Sequence, residues 1–166
     1  MRRTLLASVL LAVALSLLPG CGFHRRGALV MPAGLEPIRV VSNTEYSPVA
    51  TGVERALRRQ GIAIADAAAS DVAILNIGRE RFGQGPIMAE NRSRTQEYVA
   101  TYRVTIRLRA ADGTIVVPEQ TVSLDREYVV DTRLPIGTPA EQDLLEEELR
   151  RDMVDAVLRR IDAALR

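Results

Sequence analysis

The spacing of apolar residues along this chain switches between the strand period of two and the helix period of 3.6, and the switches mark its elements. Residues 37–41 are a short β-branched run and predict a strand. After a polar loop over 42–47, Ser47 suits a helix N-cap and Pro48 the first helical position. Val49, Ala50, Val53, Ala56 and Leu57 then recur at helical spacing, while Glu54, Arg55, Arg58 and Arg59 face away. Gly61 is a natural stop. Residues 62–64 predict a short strand and 65–70 a connector. Three longer strands follow. The first covers 72–82, with Ala73, Leu75 and Ile77 on one face. The second has the cleanest alternation: Tyr98, Ala100, Tyr102, Val104, Ile106 and Leu108 against Val99, Thr101, Arg103, Thr105, Arg107 and Arg109. One face is apolar and the other wet and basic, as in an antiparallel sheet covered on one side. Asp112-Gly113 predicts a hairpin turn. The third strand runs over 114–130, where Pro118 calls for a bulge or an edge position.

Residues 134–137 form a turn before a long helix. Thr138 and Glu141 make a capping box with Pro139 at the first position. Leu145, Leu149, Met153, Ala156, Val157, Ile161, Ala164 and Leu165 make its apolar stripe. Glu146/Arg150, Glu147/Arg151 and Asp155/Arg159 are spaced to pair on its outside. Two helices with one apolar stripe each can cover one face of one sheet. The expectation is therefore an α+β two-layer sandwich, with both helices on one face of a mostly antiparallel or mixed sheet of about four strands.

The start of the chain follows a different pattern. Arg2 and Arg3 precede an almost wholly apolar stretch over 5–18, which Pro19-Gly20 breaks just before Cys21. This is the layout of a signal peptide, and the stretch is shorter than the ~20 residues of a transmembrane helix. Leu18-Pro19-Gly20-Cys21 also looks like a bacterial lipobox, in which the cysteine carries N-acyl and S-diacylglycerol lipid, palmitate among the usual chains. Pro19 stands where a small residue is usual. The alternative is an ordinary exported protein cut near Gly20. The expected organisation is a removed signal peptide (1–20), a lipidated tether (21–34) and a single domain (35–166). Cleavage takes the Lys+Arg count from 22 to 20 against 21 acids, so the net charge moves from +1 to −1. A near-neutral domain carries no electrostatic footprint for nucleic acid.

Candidate chemistry is sparse, and no enzyme is expected. His24 is the only histidine and lies three residues beyond Cys21, in a tether that cannot hold it between catalytic partners. Cys21 is the only cysteine, so the clustered ligands of a zinc site are missing, and no metal or other cofactor is expected. Glu146-Glu147-Glu148 reads as a solvated helix face. Gly83-Gln84-Gly85-Pro86 opens a long loop over 83–95 rather than a phosphate cradle, since no helix follows. That loop joins Ile87 and Met88 to Arg92 and Arg94, a mixture suited to an amphiphile with phosphates, to a protein partner or to a plain hairpin tip. Arg103, Arg107 and Arg109 either extend a basic surface or form the sheet's solvated side.

Cys21-Gly22-Phe23-His24-Arg25-Arg26-Gly27 resembles the CGFHLRG-type start of the mature LptE family, with Arg25 at a usually apolar position. Further matches are collinear. Leu57-Arg58-Arg59-Gln60-Gly61-Ile62 resembles the end of the family's first helix, Glu97-Tyr98 its AEY strand opening with Gln96 in place of Ala, and Arg126-Glu127-Tyr128 a strand end. Residues 141–152 resemble its last helix. The resemblance implies a lipoprotein of the Gram-negative outer membrane. Such a protein plugs the LptD β-barrel as a heterodimer partner, assists that barrel's assembly and helps deliver lipopolysaccharide to the outer leaflet. Gly22 in place of Asp fits outer-membrane sorting. The location implied is lipid-anchored on the periplasmic side and inside the barrel lumen. Lipopolysaccharide binding by a basic loop carries over to Arg92 and Arg94. The family's lysine before the last helix has no match in Gly137-Thr138-Pro139, and Arg133 is the stand-in. The rival readings are an auxiliary binding lipoprotein of another envelope lipid-transport system and a lipid-anchored hydrolase using paired carboxylates.

Overall fold

The structure, a computed structural model, describes residues 29, 31–87, 95–131 and 139–166. Its elements are β1 (Ile38–Ser42), α1 (Pro48–Arg59), β2 (Ala73–Pro86), β3 (Thr95–Arg109), β4 (Ile115–Asp131) and α2 (Pro139–Leu165). They build one four-stranded sheet in the order β1-β2-β3-β4, with β1 parallel to β2 and the other pairs antiparallel. The parallel pair needs a crossover, and α1 supplies it. Both helices pack on the same face, where Val49, Val53 and Leu57 of α1 and Met153, Val157 and Ile161 of α2 meet Leu75, Ile77, Val104, Ile106, Leu108 and Val117. Burying each of the larger of these side chains contributes about 1.5–3 kcal/mol. The α+β two-layer sandwich is as expected.

Local chemistry sets the ends of α1. Ser47 Oγ accepts the Ala50 N–H at 2.8 Å. At the other end Gly61 adopts φ 84°, its N–H reaches the Arg58 carbonyl at 3.0 Å, and the Ile62 N–H reaches the Leu57 carbonyl at 3.1 Å. This is the Schellman closure, with Ile62 buried as its apolar contact. The strand expected over 62–64 shrinks to a single parallel bridge between Ile64 and Ile38. The Ile38 N–H bonds the Ala63 carbonyl and the Ala65 N–H bonds the Ile38 carbonyl, and the chain then turns away through an Ala69-to-Asp66 bond.

Two strands differ from the sequence pattern. β2 continues past Phe82, with Gly83, Gln84, Gly85 and Pro86 opposite Thr101, Ala100, Val99 and Tyr98. The expected loop over 83–95 therefore starts only at Ile87. Nothing local favours a strand at Gly83 and Gly85; the ladder to β3 imposes it. β2 also carries a bulge. Ile77 faces Ile106 and Glu80 faces Val104, so three steps on β2 match two on β3. The extra residue turns Glu80, rather than Arg79, towards the helices. Gly78 makes room, because the Thr105 hydroxyl fills the space a side chain would take and accepts the Arg79 N–H at 3.0 Å.

β4 is an edge strand, and its register jumps between Ile106↔Gln120 and Leu108↔Val117, which puts Pro118 in a bulge on an edge. The Asp112-Gly113 turn forms as expected. The Thr114 N–H donates to Asp112 Oδ1 at 2.9 Å and holds that exposed carboxyl below its usual range. On α2, Arg150 pairs with Glu146 at 2.7 Å and Arg151 with Glu147. The expected Asp155–Arg159 pair does not form among the described residues; an exposed pair contributes only about 0–1 kcal/mol, too little to hold two long side chains. Asp162 and Arg166 pair instead at 2.8 Å. Thr138, and with it the expected capping box, lies outside the described residues.

A Cβ at position 78 would stand 2.1 Å from Thr105 Oγ1 and 3.4 Å from the Thr105 carbonyl oxygen. Gly78→Ala is therefore expected to lower unfolding free energy by about 1–3 kcal/mol. Adding Thr105→Ala should return part of that loss. Urea unfolding of the two single variants and the double variant checks this, and strictly additive losses would rule the contact out.

Candidate functional site

The covered side of the sheet carries one polar knot. Glu80 lies between two hydroxyls: Tyr102 Oη donates to its Oε2 at 3.0 Å, and Ser47 Oγ donates to Oε1. Ser47 is also the N-cap of α1, so one carboxylate ties a helix start to β2 and β3. The Arg150 guanidinium of α2 lies beside Tyr102. Burial, and then the adjacent Glu80 charge, push the Tyr102 hydroxyl up to about 12. Every member is held by another, which is the arrangement of a structural brace rather than a site open to substrate. The sequence offers no local signal for it, since Ser47, Glu80 and Tyr102 are brought together only by the bulge and the crossover.

A second polar link joins α2 to the sheet. Arg126 of β4 faces the helices and reaches Glu148 at 2.5 Å and Asp152 at 3.2 Å. The solvated face expected over Glu146-Glu147-Glu148 is corrected at one position: Glu146 and Glu147 pair along the helix as expected, while Glu148 binds across to the sheet.

The sheet has two ends of different character. At one end Pro86 faces Tyr98 and Thr95 faces Asp131, so the flanks of the segments over 88–94 and 132–138 emerge together. The Ile87 N–H reaches the Glu97 carbonyl there at 2.8 Å. Tyr98 and Tyr128 pair with ring centroids 5.8 Å apart, and Tyr128 Oη donates to Gln84 Oε1 at 2.5 Å. Partial burial, then the neighbouring Tyr98, raises the Tyr128 hydroxyl above its usual range. Ile87 and Val129 are exposed apolar residues at this end. Arg92, Arg94 and Arg133 lie outside the described residues; the segments that carry them start and finish at this end. Cys21 and His24 lie outside as well. The chain on the Cys21 side leaves from the opposite end, where Leu29 is buried and its N–H reaches Gln60 Oε1 at 2.9 Å beyond α1.

The uncovered face of the sheet carries Arg103, Arg107 and Arg109, as the alternation of β3 implies, and the bulge adds Arg81 opposite Arg103. Two of the open depressions on the surface are lined by described residues. One lies between residues 32–35 and the β3–β4 turn, and the other runs along β1 beside Glu54, Arg58 and Asp66. In the second, Glu54 is already paired with Arg58 at 2.8 Å. Among the described residues neither depression joins a nucleophile to a base.

The family model for LptE, described as lipopolysaccharide-assembly, matches residues 35–161. "LPS-assembly lipoprotein LptE" of Photorhabdus laumondii is 25% identical over 154 residues, covering 93% of this chain and 84% of its own. The protein of the same name from Pectobacterium atrosepticum is 25% identical over 159 residues, covering 94% and 84%. Among solved structures, rare lipoprotein B from Shewanella oneidensis superimposes with a TM-score of 0.63 at 22% identity, over 76% of this chain and 93% of its own. A minor lipoprotein from Acinetobacter baumannii gives 0.58 at 15% identity, over 76% and 91%. The solved structures bear out the fold.

The raised Tyr102 hydroxyl makes stability depend on pH in a defined direction. Its contribution is complete below the unfolded value near 10 and is lost as pH rises towards about 12. Unfolding free energy should hold steady to about pH 10 and then fall, by up to about 1.4 kcal/mol per pH unit from this group. Tyr102→Phe should flatten that part of the fall. Denaturant titrations of both proteins between about pH 9 and pH 12 test it, and superimposable profiles would remove Tyr102 as the cause.

Proposed function

We infer the function from one premise, that this chain belongs to the LptE lipopolysaccharide-assembly family: it is a lipoprotein of lipopolysaccharide assembly at the outer membrane. The observation that carries the reading is the span of the family match, residues 35–161, which takes in all four strands and both helices up to the last turn of α2. We propose further that the chain forms a heterodimer with the LptD β-barrel, sits as a plug in its lumen and assists its assembly, without enzymatic activity. The fold supports this. A sheet with one face packed by helices and the other lined by Arg, Thr and Ser suits the polar interior of a large barrel.

The two ends of the sheet give the plug a direction. Cys21, lipidated, anchors the chain in the periplasmic leaflet, and the chain enters the domain at the Gln60 end. The opposite end, from which the segments of Arg92, Arg94 and Arg133 emerge, lies the length of β2 away. That is 14 residues, or about 45 Å. A bilayer with its headgroups is about 40–45 Å thick. An anchored domain standing in the lumen therefore carries those arginines towards the outer leaflet, where they take the phosphates of lipopolysaccharide.

Two measurements test this. The lipidated full-length chain, purified from detergent-solubilised outer membrane, should bring down a large β-barrel in equal amount. Recovery alone, or with the parts of a different lipid-transport system, overturns the LptD reading. In addition, Arg92→Ala with Arg94→Ala and Arg133→Ala should weaken lipopolysaccharide binding at low salt by about tenfold or more, since charge-assisted hydrogen bonds contribute about 1.5–3 kcal/mol each. The same variant should keep the barrel partner. Unchanged lipopolysaccharide binding excludes these arginines from the contact.

A further inference from the structure

The sheet's open face carries a row of exposed arginines. Arg81 and Arg103 are directly opposite each other on β2 and β3. Arg107 and Arg109 continue the same side of β3 opposite Asn76 and Ile74. From Arg103 to Arg109 this row covers about 20 Å. All four side chains are exposed, and none makes an ion pair or hydrogen bond among the described residues. Glu119, in the bulge opposite Arg107, is exposed and does not pair with it. Arg58, Arg126, Arg150, Arg151 and Arg166 each hold a carboxylate, whereas Arg59, Arg79 and Arg159 form no ion pair among the described residues. Like charges placed directly opposite across a ladder destabilise a sheet. The domain carries that cost at Arg81 and Arg103 with no compensation of its own.

Apart from Glu119, the acids that β4 brings to this face lie beyond Arg103. Asp125 accepts the Thr101 hydroxyl at 2.6 Å, and Glu127 is opposite Val99. Ser123 is opposite Arg103, one diagonal step from Asp125, and the Thr105–Thr121 pair lies within the arginine row. A small anion needs an enclosing site, and the four arginines are exposed on an open face. A glycolipid needs apolar surface for its chains and is repelled at the acidic end. A rigid protein wall with a matching charge pattern satisfies both ends, and Arg offers planar forks suited to carboxylates.

We infer that the open sheet face is the surface by which this domain seats against the inner wall of its partner barrel, and that the wall is acidic opposite Arg81, Arg103, Arg107 and Arg109. The inference rests on the barrel-plug reading above and adds which face is turned to the wall and the charge it meets. The helices then face the remaining lumen.

The test uses the lipidated full-length chain recovered from outer membrane at low salt. Arg103→Glu with Arg107→Glu should cut barrel recovery about tenfold or more. Arg103→Ser with Arg107→Ser should cut it less, while melting at the same or a higher temperature than the parent because the Arg81–Arg103 repulsion is gone. That combination separates a lost contact from a lost fold. Parent recovery should fall as salt rises. Arg59→Glu with Arg159→Glu, on the outer sides of the helices, should recover the barrel as the parent does. Parental recovery by the sheet variants, or an equal loss in the helix variant, overturns the inference. So does a sheet variant that keeps the barrel and loses lipopolysaccharide, which assigns the face to the glycolipid. A parent chain that brings down no barrel overturns the preceding function, and this inference with it. A parent that does, beside a sheet variant that does equally well, overturns this inference alone.

Discussion

One carboxylate organises the domain. Glu80 accepts hydroxyls from Ser47 and Tyr102, so the start of α1 is fixed against the middle of β2 and β3. It reaches that place only because β2 gains a residue between Ile77 and Glu80. With an unbroken period of two, Arg79 would point at the helices and Glu80 into solvent. A charged group on the covered side is tolerable only when its hydrogen bonds are made, and both oxygens of Glu80 have theirs. The bulge thus decides more than one contact. It sets the phase of the rest of β2, sends Phe82 and Gln84 to the covered side, and puts Arg81 on the open side beside Arg103.

The two faces of the sheet follow different rules as a result. On the helix side, polar groups are tied in: Arg126 to Glu148 and Asp152, Tyr128 to Gln84, Arg160 to Gln120. The Arg126 and Arg160 links hold residues 148–160 of α2 along β4, the edge strand, whose covered side is only partly apolar. On the open side four arginines have no such partner. A domain that needed only to fold would gain by replacing at least one of the opposed pair.

Most of the architecture was legible in the chain because it rests on short-range signals. Ser47-Pro48 and Gly61 place the ends of α1 through local bonds, and the strict alternation over 98–109 separates the faces of β3 without reference to any other strand. Legibility failed where partners come from afar. The strand expected at 62–64 is one bridge because its neighbour offers only Ile38. The extension of β2 through Gly83 and Gly85 is imposed by β3, against local propensity. The bulge leaves no mark in composition, so neither the inward turn of Glu80 nor the pairing of Arg81 with Arg103 was readable. The arginines of β3 were readable as a wet face, though not as an unpaired row, because pairing depends on what β2 and β4 bring alongside.

Length is the last constraint that ties the fold to its role. β3 has 15 residues and β4 has 17, well beyond the five or six usual for a strand. A core of this size needs no such strands: its fully buried positions on β3 and β4 are confined to residues 100–108 and 117, and past Leu124 the covered side is only half-buried. The extra length carries the sheet on to the Tyr98–Tyr128 pair, with β2 alongside as far as Pro86. The chain enters the domain at the other end, beside Gln60. A three-stranded extension of this kind can hold a fixed point far from where the chain enters without a hinge, because each residue pair of the ladder resists bending. That mechanical property, more than any pocket on the surface, is what the sequence of β3 and β4 secures.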